Sequence, residues 1–207
     1  MNTTWDAWMP DVMIHATTAP DPLARQALCR AAREFFQRTR SWMVWLDPIV
    51  SEAGSGVEYS LDLPPQSNVV RIERATRNGN PLDVTSFREK HYDWMTERGG
   101  EQALVSSDLI TFVLNGDFPR GDRMQVQVSL MPSLRAAGVP SSLASINFEA
   151  IAEGAKAILL LIPGTGFYQP ELAVLSRRTF DQKISEASIA AYRGHTNHTP
   201  RASVIWC

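Results

Sequence analysis

The chain has 207 residues, of which 44% are hydrophobic and 20% are charged. This length and composition are typical of a globular protein with one large domain or two small ones. The formal net charge of −2 argues against a protein that wraps nucleic acid through a dense basic surface.

Residues 1–46 are predicted to be mainly helical, with one long helix that starts at Asp21. Asp21 suits the N-cap and Pro22 suits the first helical position. Apolar residues then recur at steps of three and four and form one stripe. The stripe comprises Ala24, Ala27, Leu28, Ala31, Ala32, Phe35, Phe36, Thr39, Trp42 and Met43. The opposite side carries Arg25, Arg30, Arg33 and Arg38.

Residues 47–133 are predicted to form an inserted antiparallel β-sheet or small barrel. Apolar and polar residues alternate in the segments 57–63, 68–77, 108–118 and 123–133. Asn78-Gly79 is a strong hairpin signal between two of these runs. The segment 86–100 interrupts the strands, and its Phe87, His91 and Trp94 are spaced to share one face of a short helix.

Residues 134–145 are predicted to be a flexible linker, and residues 146–194 return to helix. The first of these helices is apolar nearly all round, with one polar edge, and must be covered on several sides. That edge consists of Glu149, Glu153 and Lys156. The last helix runs from Pro170 to Gly194, and its predicted core stripe is Leu172, Leu175, Thr179, Ile184, Ala187 and Ala191. The fold class is therefore predicted as α+β, with a bundle of three main helices built from 1–46 and 146–194.

The motifs predict no catalytic residue, cofactor site or metal site. Gly54–Gly56 and Gly164–Gly166 do not continue as nucleotide-binding fingerprints and are interpreted as turns. His195 and His198 lack further rigid ligands for a metal ion. Only two cysteines are present, Cys29 and Cys207, too few for a disulfide framework. We expect a reduced protein without a signal peptide, whose apolar run at 157–162 is too short to span a bilayer.

The charged helix residues are predicted to pair with carboxylates or arginines across a boundary between subunits. The set comprises Arg25, Arg30, Arg33, Arg38, Glu149, Glu153, Lys156, Arg177 and Arg178. Simple solvation is one alternative for these side chains, and contact of the arginines with phosphate is another. An excess of apolar surface on the helix after residue 146 also favours coverage by further copies of the chain.

Several segments together resemble the head-to-tail adaptor, or connector, proteins of tailed and especially short-tailed bacteriophages. They are WDAWMPDVM (5–13), the helix to Trp42, LDPI (46–49), YSLDLP (59–64) and the segment 167–189. The resemblance implies a non-enzymatic virion protein, assembled in the host cytoplasm, that forms a twelve-fold ring beneath the portal. Such a ring extends the channel through which DNA leaves the capsid. Its helical part contacts neighbouring copies, its β-part faces the tail, and its C-terminal segment binds the portal.

The C-terminal residues 195–207 are predicted to be an extended tail that binds a partner. The segment RASVIWC could add a strand to the portal protein while its apolar side chains fill pockets. It comprises Arg201, Ala202, Ser203, Val204, Ile205, Trp206 and Cys207. Pairing of this segment with a strand of its own chain is the alternative. Two other functions stay open, a tail-tube or nozzle component and a small enzyme or ligand-binding module with a pocket near His91 and Trp94.

Overall fold

The computed structural model describes residues 1–52, 57–86, 102–116 and 118–194. Helices and strands are both present, which confirms the predicted mixed α+β class at that level. The chain folds into two compact units. Unit one combines Met1–Ser41 with Pro132–Cys207, and unit two is Trp42–Met131. The predicted segment 86–100, Gly54–Gly56 and the tail 195–207 lie largely or wholly outside the described residues.

Unit one contains the four α-helices of the described residues and a short two-stranded sheet. The helices are α1 (Met9–Met13), α2 (Asp21–Thr39), α3 (Ser141–Leu159) and α4 (Pro170–Tyr192), and a 3-10 turn at Trp5–Trp8 precedes α1. Strand β1 (Asn2–Thr4) pairs antiparallel with β10 (Gly138–Pro140). Helices α2, α3 and α4 all pack against one another.

Helix α2 begins at Asp21, one residue before the predicted first helical position, and its N-cap is Pro20 and not Asp21. It ends at Thr39, four residues before the predicted end at Met43. Arg40 adopts a left-handed conformation with φ 51°, and its N–H donates to the Phe36 carbonyl. This geometry closes the last turn of a helix. Strand β2 (Met43–Trp45) follows. The last two residues of the predicted helical stripe, Trp42 and Met43, therefore lie after the end of the helix.

The predicted linker at 134–145 is wrong in its second half. Strand β10 occupies Gly138–Pro140, and α3 already starts at Ser141. The Gly138 Cα lies against the backbone of Thr3, where a Cβ would come within 1.9 Å of the Thr3 carbonyl oxygen. The small, polar composition of this segment therefore serves close strand packing, and it does not indicate flexibility.

The expected surplus of apolar surface on α3 is also wrong for most of the helix. Its apolar side chains are buried within the chain, mainly against α2 and α4. The buried set is Ala144, Ala150, Ile151, Ala152, Ala155, Ala157 and Leu159. Ile146 stays 69% exposed. Many of these residues are small, so α3 fits closely between its neighbours and needs no second copy to cover it.

The core stripe of α4 lies one residue away from the predicted one. Four residues of this helix are buried: Ala173, Ser176, Phe180 and Ile184. Of the predicted stripe only Ile184 is among them, and Leu175 is 57% exposed. Two sets of apolar residues with helical spacing overlap in this segment. The prediction took the set that contains Leu172 and Leu175, whereas the buried set contains Ala173 and Phe180.

The N-terminal residues are attached to unit one by two tryptophans. Trp5 Nε1 donates to the Ala136 carbonyl at 2.6 Å, and Trp8 Nε1 donates to the Phe148 carbonyl at 3.0 Å. The Trp8 ring is fully buried and stacks on the Phe148 ring with 4.9 Å between centroids. Both indole N–H groups are thus satisfied, as buried indoles require.

Unit two is a sheet with strand order β2–β9–β5–β6–β7–β8–β4, in which β3 also pairs with β9. The further strands are β3 (Ile49–Val50), β4 (Glu58–Ser60), β5 (Ser67–Arg77), β6 (Asn80–Ser86), β7 (Ala103–Ser106), β8 (Thr111–Asn115) and β9 (Arg123–Pro132). The predicted hairpin turn is confirmed, since β5 and β6 pair across it and Asn78 and Gly79 both have positive φ.

The purely antiparallel prediction is wrong at one place in this sheet. Strands β6 and β7 run parallel, with Asp83 opposite Ala103. Parallel neighbours need a connection of a dozen or more residues, and residues 87–102 supply that length. The sequence pattern of each strand is compatible with either direction, so the pattern alone does not determine the topology.

Candidate assembly surface

An ion-pair network joins α2 to α4 in unit one. Arg177 donates to both Glu34 oxygens, at 2.9 Å for the longer bond, and to Asp181 at 3.1 Å. Arg38 contacts the same two carboxylates, at 3.1 Å from Glu34. The hydrogen bond from Arg177 is the main reason that the pKa of Glu34 is lowered. Burial acts to raise the pKa of Asp181, but hydrogen bonds from Arg38 and Arg177 outweigh it and lower that pKa.

Three further contacts within unit one involve the charges that were expected to pair between subunits. Lys156 binds Glu153 at 2.7 Å, and Glu149 binds Lys183 at 2.8 Å. Arg33 donates to the Pro132 carbonyl. These charged side chains therefore bind groups of their own chain.

Arg25 pairs with Asp6 at 2.8 Å, so most of the predicted inter-subunit charges have partners in their own chain. Arg30 and Arg178 are exposed and form no ion pair or hydrogen bond within the part of the chain that the structure describes. For these two arginines, pairing with a carboxylate of another copy of the chain stays a prediction.

An open groove of about 590 Å³ lies beside α2. Trp5, Cys29 and Leu134 contribute apolar surface, and Arg25 and Arg30 stand at its rim. Burial raises the pKa of the Cys29 thiol, which Arg33 and Arg30 partly oppose, so the neutral thiol is favoured. The groove combines apolar surface with positive charge, which suits a segment of protein that carries apolar and acidic side chains.

The outer face of α4 is the longest exposed helical surface of unit one. Leu175, Ile189 and Tyr192 are 57%, 54% and 77% exposed. Beyond Ile184 the helix has no buried residue. The helix is about 35 Å long at 1.5 Å per residue, and its residues after Ile184 are half-buried or exposed. The predicted core stripe contained Leu175 but neither Ile189 nor Tyr192, so it identified this face only in part.

Unit two carries its own charged cluster near the β5–β6 turn. Asp122 accepts hydrogen bonds from Arg77 at 2.6 Å and from Asn78 at 2.8 Å. The bond from Asn78 is the largest cause that lowers the pKa of Asp122. The Arg77 guanidinium also lies 5.0 Å from the centroid of the Phe118 ring. These contacts fix the turn against the start of β9.

The described residues hold no group of three or more His, Cys, Asp or Glu side chains with the geometry of a metal site. Across the same ranges, no helix is both long and apolar enough to cross a bilayer. His91, Trp94, His195, His198 and the predicted portal-binding residues 201–207 all lie outside them. A scan against protein-family models finds none that matches this chain, and a search of the curated proteins finds no matching sequence.

Proposed function

We propose that this chain is a non-enzymatic head-to-tail adaptor of a short-tailed bacteriophage. Its copies form a ring below the portal protein and continue the DNA channel towards the tail. In this proposal, the bundle formed by α2, α3 and α4 contacts the neighbouring copies in the ring. The β unit faces the tail or nozzle proteins, and residues 201–207 bind the portal.

One observation carries the proposal, the number of large apolar side chains that are more than half exposed on both units. Unit one exposes Ile14, Leu134, Ile146, Leu161, Leu175, Ile189 and Tyr192, and unit two exposes Val50 and Ile110. Scattered exposed leucines are ordinary, so the proposal depends mainly on Leu175, Ile189 and Tyr192, which are all exposed on one helix, α4. An adaptor needs such surfaces at several places, since each copy contacts its neighbours, the portal and the tail.

The resemblance in sequence supports the same role. The segment 5–13 that takes part in it contains Trp8, which holds the N-terminal residues against α3. The segment 167–189 that takes part in it forms most of α4, whose outer face is exposed. Three of the five segments that resemble adaptors lie in the helical unit, and the other two, 46–49 and 59–64, lie in unit two.

The test is co-purification with the portal protein of the same virion. A tagged portal protein is expressed together with the full chain, with a chain truncated after residue 197, or with the double variant Ile205→Ser, Trp206→Ser. We expect the full chain to co-purify and the truncated and double variants to be lost. Ser203→Ala is the matched control in the same segment and is expected to co-purify normally. Binding of the truncated chain as tight as that of the full chain would overturn the portal-binding role.

A further inference from the structure

The β5–β6 turn contains a chemically labile pair of residues. Arg77 pairs with Asn80, so the turn itself consists of Asn78 and Gly79. Glycine has no Cβ to shield its backbone nitrogen, so this nitrogen can attack the side-chain carbonyl carbon of the preceding asparagine. Asn78 is exposed, so water has access to the same turn.

The reaction that this pair undergoes is deamidation. The Gly79 nitrogen gives up its proton and bonds to Cγ of Asn78, while the side-chain nitrogen takes up a proton and leaves as ammonia. Water then breaks one of the two carbon–nitrogen bonds of the cyclic succinimide. The product at position 78 is aspartate or isoaspartate. No atom is oxidised or reduced, and water is the one co-reactant.

The folded protein holds Asn78 in a state that opposes this attack. Its Nδ2 donates to Oδ1 of Asp122 at 2.8 Å, and its Oδ1 accepts from the Arg123 N–H at 2.9 Å. Both ends of the side-chain amide are therefore fixed on β9, and turning Cγ onto the Gly79 nitrogen requires these bonds to break. The Asp122 carboxylate also disfavours the negative charge that develops during the attack.

Asp122 is itself fixed in position. Its N–H donates to Oγ of Ser51 at 3.0 Å, and its carbonyl accepts from the Ser51 N–H at 2.8 Å. Ser51 is buried. On the side-chain end, Nε of Arg77 donates to Oδ2 of Asp122 at 2.6 Å. The carboxylate that binds Asn78 is thus held from two directions.

We propose that Asn78 is a latent deamidation site, which Asp122 and Arg123 keep unreactive in the folded protein. Neither product fits the turn. Aspartate has no N–H to donate and places a second carboxylate against Asp122, and isoaspartate adds a carbon to the main chain of a two-residue turn. Deamidation therefore marks chains in which the turn has left β9, and it does so independently of the adaptor role.

Peptide mapping by mass spectrometry, after long incubation at alkaline pH, measures the conversion of Asn78. We expect the folded chain to react at least about tenfold more slowly than the chain unfolded in guanidinium chloride. Asp122→Ala should raise the rate in the folded chain at least about tenfold, the effect of losing a hydrogen bond to a charged group. Asp62→Ala removes another exposed carboxylate of unit two and is the matched control. The other Asn-Gly pair of the sequence, Asn115-Gly116, reports unfolding of the unit as a whole.

Equal rates at Asn78 in the folded and unfolded wild type would overturn the proposal. So would an Asp122→Ala rate at or below the wild-type rate, since Asp122 would then have no protective effect. An equal rise with Asp62→Ala, or a rise at Asn115 that matches the one at Asn78, would show general loosening and also overturn it. Asp122→Asn keeps an oxygen that accepts from Asn78 without the charge, and it should react faster than the wild type even if Asp122→Ala does not fold. Circular dichroism checks the fold of each variant.

Discussion

Gly154 lies where α3 approaches both α2 and α4 without room for a side chain, and replacing it by alanine should loosen their packing. A Cβ at this position would lie 2.8 Å from Cε2 of Phe180 and 2.9 Å from the Cβ of Ala31. Phe180 and Ala31 are both fully buried, so neither can move aside into solvent. The added methyl group must therefore push α3 away from α2 and α4.

The expected cost is the difference between two effects. Overpacking of a buried site costs about 1–3 kcal/mol, and two contacts below 3.0 Å place this site in the upper half of that range. Alanine is favoured over glycine inside a helix by about 1 kcal/mol. We therefore expect Gly154→Ala to lower the free energy of unfolding by about 1–2 kcal/mol, which corresponds to a fall in Tm of roughly 2–8 °C.

Thermal and urea unfolding followed by circular dichroism measure this change. In a Phe180→Leu background the ring edge is gone, so the cost of Gly154→Ala should fall by at least about 0.5 kcal/mol. Ser145→Ala on the exposed side of α3 is the control and should leave stability unchanged or slightly raised. A Gly154→Ala protein as stable as the wild type, with no coupling to Phe180, would refute the close packing of the three helices.

Three other changes test separate parts of the structure. Gly138→Ala should separate β1 from β10, because its Cβ would meet the Thr3 carbonyl, and faster amide exchange at residues 2–4 would report it. Trp8→Ala should lower the free energy of unfolding by about 3–5 kcal/mol, measured by urea unfolding. Glu34 has a lowered pKa, so the stability it contributes is present above its ordinary pKa of about 4.3 and is lost as pH falls through the lower folded value. The stability difference between wild type and Arg177→Gln should therefore shrink below about pH 4 in unfolding curves, and a difference that is constant with pH would contradict the ion pair.

The parts of the fold that local sequence signals determine were predictable. Asn78-Gly79 marks the β5–β6 turn, because a tight turn depends on a few adjacent residues. Asp21 and Pro22 locate the start of α2 to within one residue, although Pro20 and not Asp21 is the N-cap. The end of α2 was missed because Arg40, a residue without a turn preference, adopts the left-handed conformation there. Strand β10 was missed because its partner lies at the other end of the chain, where Thr3 approaches Gly138.

For the candidate surface, the sequence predicted which charged residues form ion pairs, but it did not predict that their partners belong to the same chain. Arg177 and Arg38 were predicted to pair with carboxylates, but their partners Glu34 and Asp181 lie in the same chain. Sequence alone cannot tell a contact between helices of one chain from a contact between copies, since both show charged residues on a helix face. The outer face of α4 was only partly predictable, because the predicted core stripe combined the exposed Leu175 with the buried Ile184.

Electron microscopy of the purified chain mixed with the portal protein of its virion tests the central claim most directly. The adaptor proposal predicts a ring of this protein stacked coaxially on the portal ring, with one continuous channel through both. Portal rings that carry no added density, in a mixture where the full chain is folded and in excess, would contradict it.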